Sequence, residues 1–127
     1  MLWRNAVFGK GDKMNTAELK NKIIEAKKAT GTTILAHTYQ EPDIIDVADI
    51  VGDSFFLSKK AKKINAKRVV MCGVRFMAES VEILSPETET ILPVATATCP
   101  MAEQILPERV KNFKEENPDV QVVAYIN

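Results

Sequence analysis

Residues 32–40 read TTILAHTYQ, a short apolar run that passes directly into polar side chains. Thr32 to Ala36 is typical of a buried strand, and His37 stands at its end. Two further apolar runs end in the same way, in GVRFMAE at residues 73–79 and in ATCPMAE at 97–103. Loops at the carboxyl ends of parallel strands form the ligand crevice of an α/β sheet. Because polar residues follow all three runs, the sequence predicts one shared ligand site at the carboxyl ends of the strands.

The segments between these runs carry helix signals, so strands and helices alternate along the chain. Asn15 and Glu18 form a capping-box pattern, and Gly31 is placed to end the helix that follows. The predicted helices cover about 15–31, 42–50, 54–64, 76–84 and 107–117, with a short one opened by Cys99-Pro100. The predicted strands cover 32–36, 68–72, 90–94 and 120–126.

This alternation predicts an α/β fold, a three-layer α/β/α domain with a short parallel sheet of about four strands. Residues 1–13 differ in composition and are predicted to be a flexible leader, which leaves 14–127 as the domain. The chain stops at Asn127, directly after the last predicted strand. A stop at that position indicates a truncated protein or an excised domain.

Composition excludes several classes of protein. The 127 residues include 17 Lys and Arg and 17 Asp and Glu, so the net charge is zero and a nucleic-acid partner is not expected. No apolar run approaches the roughly 18 residues that a membrane helix needs, and no signal peptide is evident. A cytoplasmic location is expected, where the two cysteines would be thiols or metal ligands.

Cys99, His37 and Ser54 stand where chemistry is expected, each with a purely structural alternative, and Cys72 is the contrast. Cys99 precedes a predicted helix, whose N-terminus would favour a thiolate, or it is simply a small turn residue. Cys72 follows an apolar run and reads as a buried strand residue. His37 is the only histidine, and a single histidine at a strand end is more often a surface or packed residue than a functional one. Ser54 stands at a helix start, as an anion-binding donor or as a plain cap, whereas its neighbour Asp53 is interpreted as structural.

Five motifs in order resemble quinolinate synthase, the A protein of de novo NAD synthesis. They are HTYQ at 37–40, DIVGDS at 49–54, GVRFMAE, the cysteine of ATCPMAE, and YIN at 125–127. The resemblance runs from about Leu35 to Asn127. It implies the first of three similar α/β domains around a 4Fe–4S cluster, each domain supplying one cysteine ligand. One iron would keep an open position and act as a Lewis acid.

The reaction implied by the resemblance is that of an iron–sulfur-dependent transferase. It condenses iminoaspartate with dihydroxyacetone phosphate to give quinolinate. The pathway supplier of iminoaspartate would be L-aspartate oxidase or aspartate dehydrogenase. No nucleic acid and no membrane would take part.

The resemblance also implies roles for single residues. Cys99 matches the cluster ligand, and His37 matches a residue that binds substrate. Ser54 matches a residue that binds a substrate carboxylate. Tyr39 matches an active-site residue that transfers a proton or orients the substrate.

Tyr125 and Asn127 match residues that face the substrate, and Tyr125 is also expected to be catalytic. Thr38 departs from the commonest family residue, asparagine. Arg75 stands where the family often has His or Asp, and no role is assigned to it.

Because one thiolate should not hold a 4Fe–4S cluster, the chain alone is expected to be inactive and free of the cluster. Two alternatives stay open. The chain could be a folded but non-enzymatic piece of a larger protein. It could also be a generic phosphate-binding α/β module, in which His37 and Ser54 form an anion site and Cys99 is incidental.

Overall fold

The computed structural model describes residues 14–124, and a four-stranded parallel sheet lies at its centre. The strands are β1 (Thr32–His37), β2 (Ile50–Gly52), β3 (Arg68–Cys72) and β4 (Glu89–Ile91). Their order across the sheet is β2-β1-β3-β4, and every neighbouring pair is parallel. The α/β class and the four-stranded parallel sheet are confirmed.

Helices alternate with the strands in the described part of the chain. They are α1 (Thr16–Thr30), α2 (Pro42–Ile45), α3 (Ser54–Ala61), α4 (Arg75–Leu84) and α5 (Pro107–Glu116). Within residues 14–124, no helix has the length and apolar character needed to cross a membrane. Of the described residues, 14–97 form one compact unit that contains the whole sheet, and 98–124 form a second, which contains α5.

The bounds of α1 follow from its terminal residues, as predicted. The Asn15 side chain accepts the amide of Glu18, and the Glu18 carboxylate accepts the amide of Asn15, which completes a capping box. Gly31 ends the helix with a φ of 63°, a left-handed conformation that glycine adopts without a steric penalty.

The hydrophobic core of the first unit lies on one face of the sheet. Leu35, Val69 and Met71 point to this face and are almost fully buried against side chains of α3 and α4. Ile34 and Ala36 alternate with Leu35, so they point to the opposite face, where they are also buried. Helix α1 contacts β1 and contributes no residue to the core cluster.

Strand β2 was not predicted. The expected second helix, to about Ile50, ends at Ile45, and Ile50–Gly52 pairs with β1 instead. Three residues are too few to show the alternation by which a strand is predicted, and pairing with β1 decides their conformation.

Two predicted strands at the other end of the chain were wrong, the first in its extent and the second throughout its described part. The strand expected at 90–94 is Glu89–Ile91, and Pro93 just beyond it has no amide hydrogen for a sheet ladder. The strand expected at 120–126 is absent from its described part, 120–124, since these residues join no ladder. Residues 125–126 and the predicted leader, 1–13, lie outside the described residues.

Candidate functional site

The carboxyl ends of β1 and β2 bring two of the sequence motifs to the same edge of the sheet. His37 is the register partner of Gly52, and the Thr38 amide donates to the Gly52 carbonyl at 3.0 Å. Ser54 follows two residues after Gly52 as the first residue of α3. The HTYQ and DIVGDS motifs are therefore neighbours in space, as the crevice prediction requires.

A tight turn follows His37 and sets the direction of its ring. The Gln40 amide donates to the His37 carbonyl at 2.9 Å, and the Tyr39 amide donates to His37 Nδ1 at 3.2 Å. The Tyr39 ring meets the imidazole edge-on, with ring centroids 4.7 Å apart. His37 is half-buried, whereas Tyr39 is 90% exposed. The two predicted site residues are thus in direct contact.

Asp53, not Ser54, caps α3. Its carboxylate accepts the Phe56 amide at 2.7 Å, so a negative charge already occupies this helix N-terminus. Ser54 is only 4% exposed, and its carbonyl accepts the Ser58 hydroxyl at 2.8 Å. An anion bound at this helix start would meet the Asp53 carboxylate, so the unpaired-amide argument for an anion site is weaker than the sequence indicated.

The GVRFMAE motif packs closely at the end of β3. A Cβ atom on Gly73 would lie 2.9 Å from Met77 Sδ, so a larger residue there would require the flexible end of the Met77 side chain to move. Arg75, to which no role was assigned, contacts the segment after β4. Its amide donates to the Ala97 carbonyl at 2.9 Å, and its guanidinium donates to the Ala95 carbonyl at 2.8 Å. Arg75 therefore orders the backbone that precedes Thr98.

An open cavity of about 240 Å³ lies at this edge of the sheet. Gln40 of the HTYQ motif lines it, together with Cys72 at the end of β3 and Val94 beyond β4. Burial raises the pKa of the Cys72 thiol, which keeps it protonated at neutral pH. Cys72 is half-buried rather than fully buried, and its protonated, apolar state agrees with the structural interpretation.

Cys99 lies in the second compact unit and does not open a helix as predicted. The amides of Ala102 and Glu103 both donate to the Cys99 carbonyl, and the chain then bends away after this single turn. The thiol is free and half-buried. Because no helix follows, the argument that a helix dipole favours the Cys99 thiolate loses its structural basis.

The described residues do not by themselves fit a 4Fe–4S cluster. Such clusters take several thiolates, and residues 14–124 nowhere gather three or more Cys, His, Asp or Glu side chains in a metal-binding arrangement. Tyr125 and Asn127, predicted to face the substrate, lie outside the described residues. Their roles stay predictions.

Comparison with known proteins decides the family. The family model described as Quinolinate synthetase A protein matches residues 21–127. The chain belongs to this family. The quinolinate synthase of Clostridium perfringens strain SM101 is 51% identical over 110 residues, which cover 87% of this chain and 36% of the relative.

Other relatives in the quinolinate synthetase family match over similar lengths. The quinolinate synthase of Alkaliphilus metalliredigens is 50% identical over 114 residues, covering 90% of this chain and 38% of the relative. That of Thermotoga maritima is 46% identical over 107 residues, covering 84% and 36%. The chain therefore spans just over a third of the length of the curated relatives that it matches.

Asp49, the first residue of the DIVGDS motif, has a structural role that was not predicted from the sequence. Asp49 Oδ2 accepts the Ile34 amide at 2.8 Å, and Oδ1 pairs with the Lys27 ammonium at 2.9 Å. The sequence signal for this role was the position of an acidic residue directly before a short apolar segment. Its partners, 15 and 22 positions away along the chain, could not be inferred from spacing.

Proposed function

We propose that this chain forms one wall of the active site of a quinolinate synthase, an enzyme of NAD biosynthesis. The observation that carries the proposal is the register pairing of His37 with Gly52, which brings the HTYQ and DIVGDS motifs to one sheet edge in a chain of this family. The substrates would be iminoaspartate, from an aspartate-oxidising enzyme, and dihydroxyacetone phosphate. A cytoplasmic location agrees with this role.

The proposed roles at this edge follow from the chemistry of the side chains. His37 would donate a hydrogen bond to a substrate oxygen, and the exposed Tyr39 hydroxyl beside it would orient the substrate or transfer a proton. Ser54, Tyr125 and Asn127 would add polar contacts to the substrate.

Cys99 would supply one thiolate to a 4Fe–4S cluster whose other ligands come from the rest of a longer protein. When bound, such a cluster would supply Lewis-acid chemistry through an iron with an open position. Because residues 14–124 do not assemble a ligand set by themselves, we expect the chain to bind no stoichiometric iron after anaerobic reconstitution with iron and sulfide. We also expect no quinolinate from the chain alone, and turnover by it would contradict this expectation.

The activity itself is testable in a fusion protein. The chain would be joined to the part of Clostridium perfringens quinolinate synthase that it does not match, and quinolinate formation would be measured anaerobically. We expect activity that Cys99→Ser abolishes and that Cys72→Ser, the matched control, retains. A folded, iron-loaded fusion that makes no quinolinate would contradict the proposal.

The alternative of a generic phosphate-binding module is disfavoured by Asp53, whose carboxylate occupies the N-terminus of α3. Titration of the chain with inorganic phosphate tests it directly. Tight binding that is unchanged by Cys99→Ser would favour the alternative over a quinolinate synthase.

A further inference from the structure

We propose that the turn at residues 37–40 selects one tautomer of the neutral His37 imidazole, with the proton on Nε2. In this form His37 acts as a hydrogen-bond donor to an acceptor oxygen of a carboxylate, phosphate or carbonyl group, and not as a proton acceptor. The backbone amide of Tyr39 determines which ring nitrogen carries the proton. Tyr39 is therefore a positioning residue that acts through its main chain. The choice of ligand atom rests on the proposed function, whereas the form of the imidazole does not.

The proton assignment follows from one contact. The Tyr39 amide donates to His37 Nδ1 at 3.2 Å, so Nδ1 must present a lone pair and carry no proton. A neutral imidazole then carries its proton on Nε2. Among the described residues, Nε2 has no hydrogen-bond partner, so it is the ring atom left to meet a ligand.

The backbone around His37 makes this contact a feature of the fold. The Thr38 amide donates to the Gly52 carbonyl, and the Gln40 amide donates back to the His37 carbonyl. These two bonds fix the Tyr39 amide between them. A side-chain acceptor that binds the amide two residues later is the pattern of an Asx turn, with Nδ1 in the place of an asparagine oxygen.

The Tyr39 side chain contributes less to this arrangement than its backbone does. Its ring is 90% exposed and touches the imidazole only edge-on. Removal of the ring therefore leaves the amide donor in place. Tyr39→Ala separates the two contributions.

Nitrogen-15 NMR of the chain tests the proposal without any ligand or cluster, and His37 is the only histidine to observe. At a pH where the ring is neutral, we expect the chemical-shift pattern of a single Nε2–H form, both in the unchanged chain and in Tyr39→Ala. An Nδ1–H form, or an average of the two forms, would overturn the proposal. Loss of the single form in Tyr39→Ala would show that the Tyr39 ring, not the amide, determines which nitrogen carries the proton.

Hydrogen exchange at the Tyr39 amide provides the second measurement. We expect exchange about three- to tenfold faster in His37→Ala, which removes the acceptor, than in the unchanged chain. His37→Asn keeps an acceptor at the position of Nδ1 and should restore slow exchange. Equal exchange rates in the unchanged chain and in His37→Ala would overturn the proposal. The proposed function would be unaffected, because it is judged by quinolinate formation in the fusion protein.

Discussion

Asp49 and Ile34 are joined by a reciprocal pair of hydrogen bonds. The Asp49 amide donates to the Ile34 carbonyl, and the Ile34 amide donates to Asp49 Oδ2, each at 2.8 Å. Lys27 of α1 reaches the same carboxylate and also donates to the Val47 carbonyl. One side chain therefore ties α1, β1 and the approach to β2 together, directly behind the edge that carries His37.

Asp49→Ala should lower the free energy of unfolding by about 1–3 kcal/mol, because it leaves the Ile34 amide without its acceptor. Asp49→Asn should cost less, since the amide oxygen can still accept from Ile34 while the ion pair with Lys27 is lost. Urea unfolding measures both. Asp43→Ala removes a more exposed carboxylate and serves as the control. A loss in Asp49→Ala no larger than in this control would contradict the assigned role.

Gly52→Ala should destabilise the chain by about 1–3 kcal/mol, because the new methyl group would overlap the Phe56 ring. Phe56 is 40% exposed, and relief of the overlap requires its ring to move away from its present position. Phe56→Ala removes the obstacle. The double variant should therefore be more stable than the sum of the single losses predicts, and strictly additive losses would exclude this contact as the cause.

Cys72 should react slowly with iodoacetamide in the folded chain, because burial raises the pKa of its thiol. The experiment uses Cys99→Ser, so that a single thiol is observed. The rate should rise only at a higher pH than it does for the same chain in urea. The free energy of unfolding should fall as the pH passes above the ordinary thiol pKa, because the unfolded state loses its proton first. Equal rates in the folded and urea-unfolded chain would contradict the prediction.

Lys20 should stabilise the chain in a pH-dependent way. Hydrogen bonds from its ammonium to Asp43 and then Asp46 raise the pKa of Lys20. Its contribution is therefore fully present below the ordinary lysine pKa and is lost as the pH rises through the raised value. Lys20→Met should have a lower urea midpoint than the unchanged chain at neutral pH, and the difference should vanish in strongly alkaline solution. A constant difference across this range would mean that the aliphatic part of Lys20, not its charge, stabilises the chain.

In the fusion protein, His37 variants should distinguish the contribution of the Nε2–H donor from that of the turn held by Nδ1. His37→Gln can place an N–H near the position of Nε2, whereas His37→Asn keeps the turn but not that donor. We expect kcat/KM to fall about 10- to 100-fold for His37→Asn and less for His37→Gln. A smaller loss in His37→Asn than in His37→Gln would argue against Nε2–H as the group that meets the substrate.

The elements that were predicted correctly are those whose signals lie within a few neighbouring residues. The Asn15–Glu18 capping box and Gly31 define α1, and Arg68–Cys72 was predicted with its observed bounds. Strand β2 was not predicted, because its pairing with β1 is a contact between distant segments of the chain. The prediction of a helix after Cys99 was wrong, because Pro100 favours the start of a helix but does not make the residues after it helical.

The same distinction between local signals and long-range contacts applies to the candidate site. The sequence alone predicted the family and the α/β class and proposed His37, Tyr39, Ser54 and Cys99 as site residues, because these inferences depend on residue types at fixed short spacings. Only the tertiary structure decided that His37 faces Gly52, that Asp53 occupies the start of α3 and that the Tyr39 amide binds Nδ1. Such contacts depend on strand register and backbone direction, which are fixed when separate segments pack together.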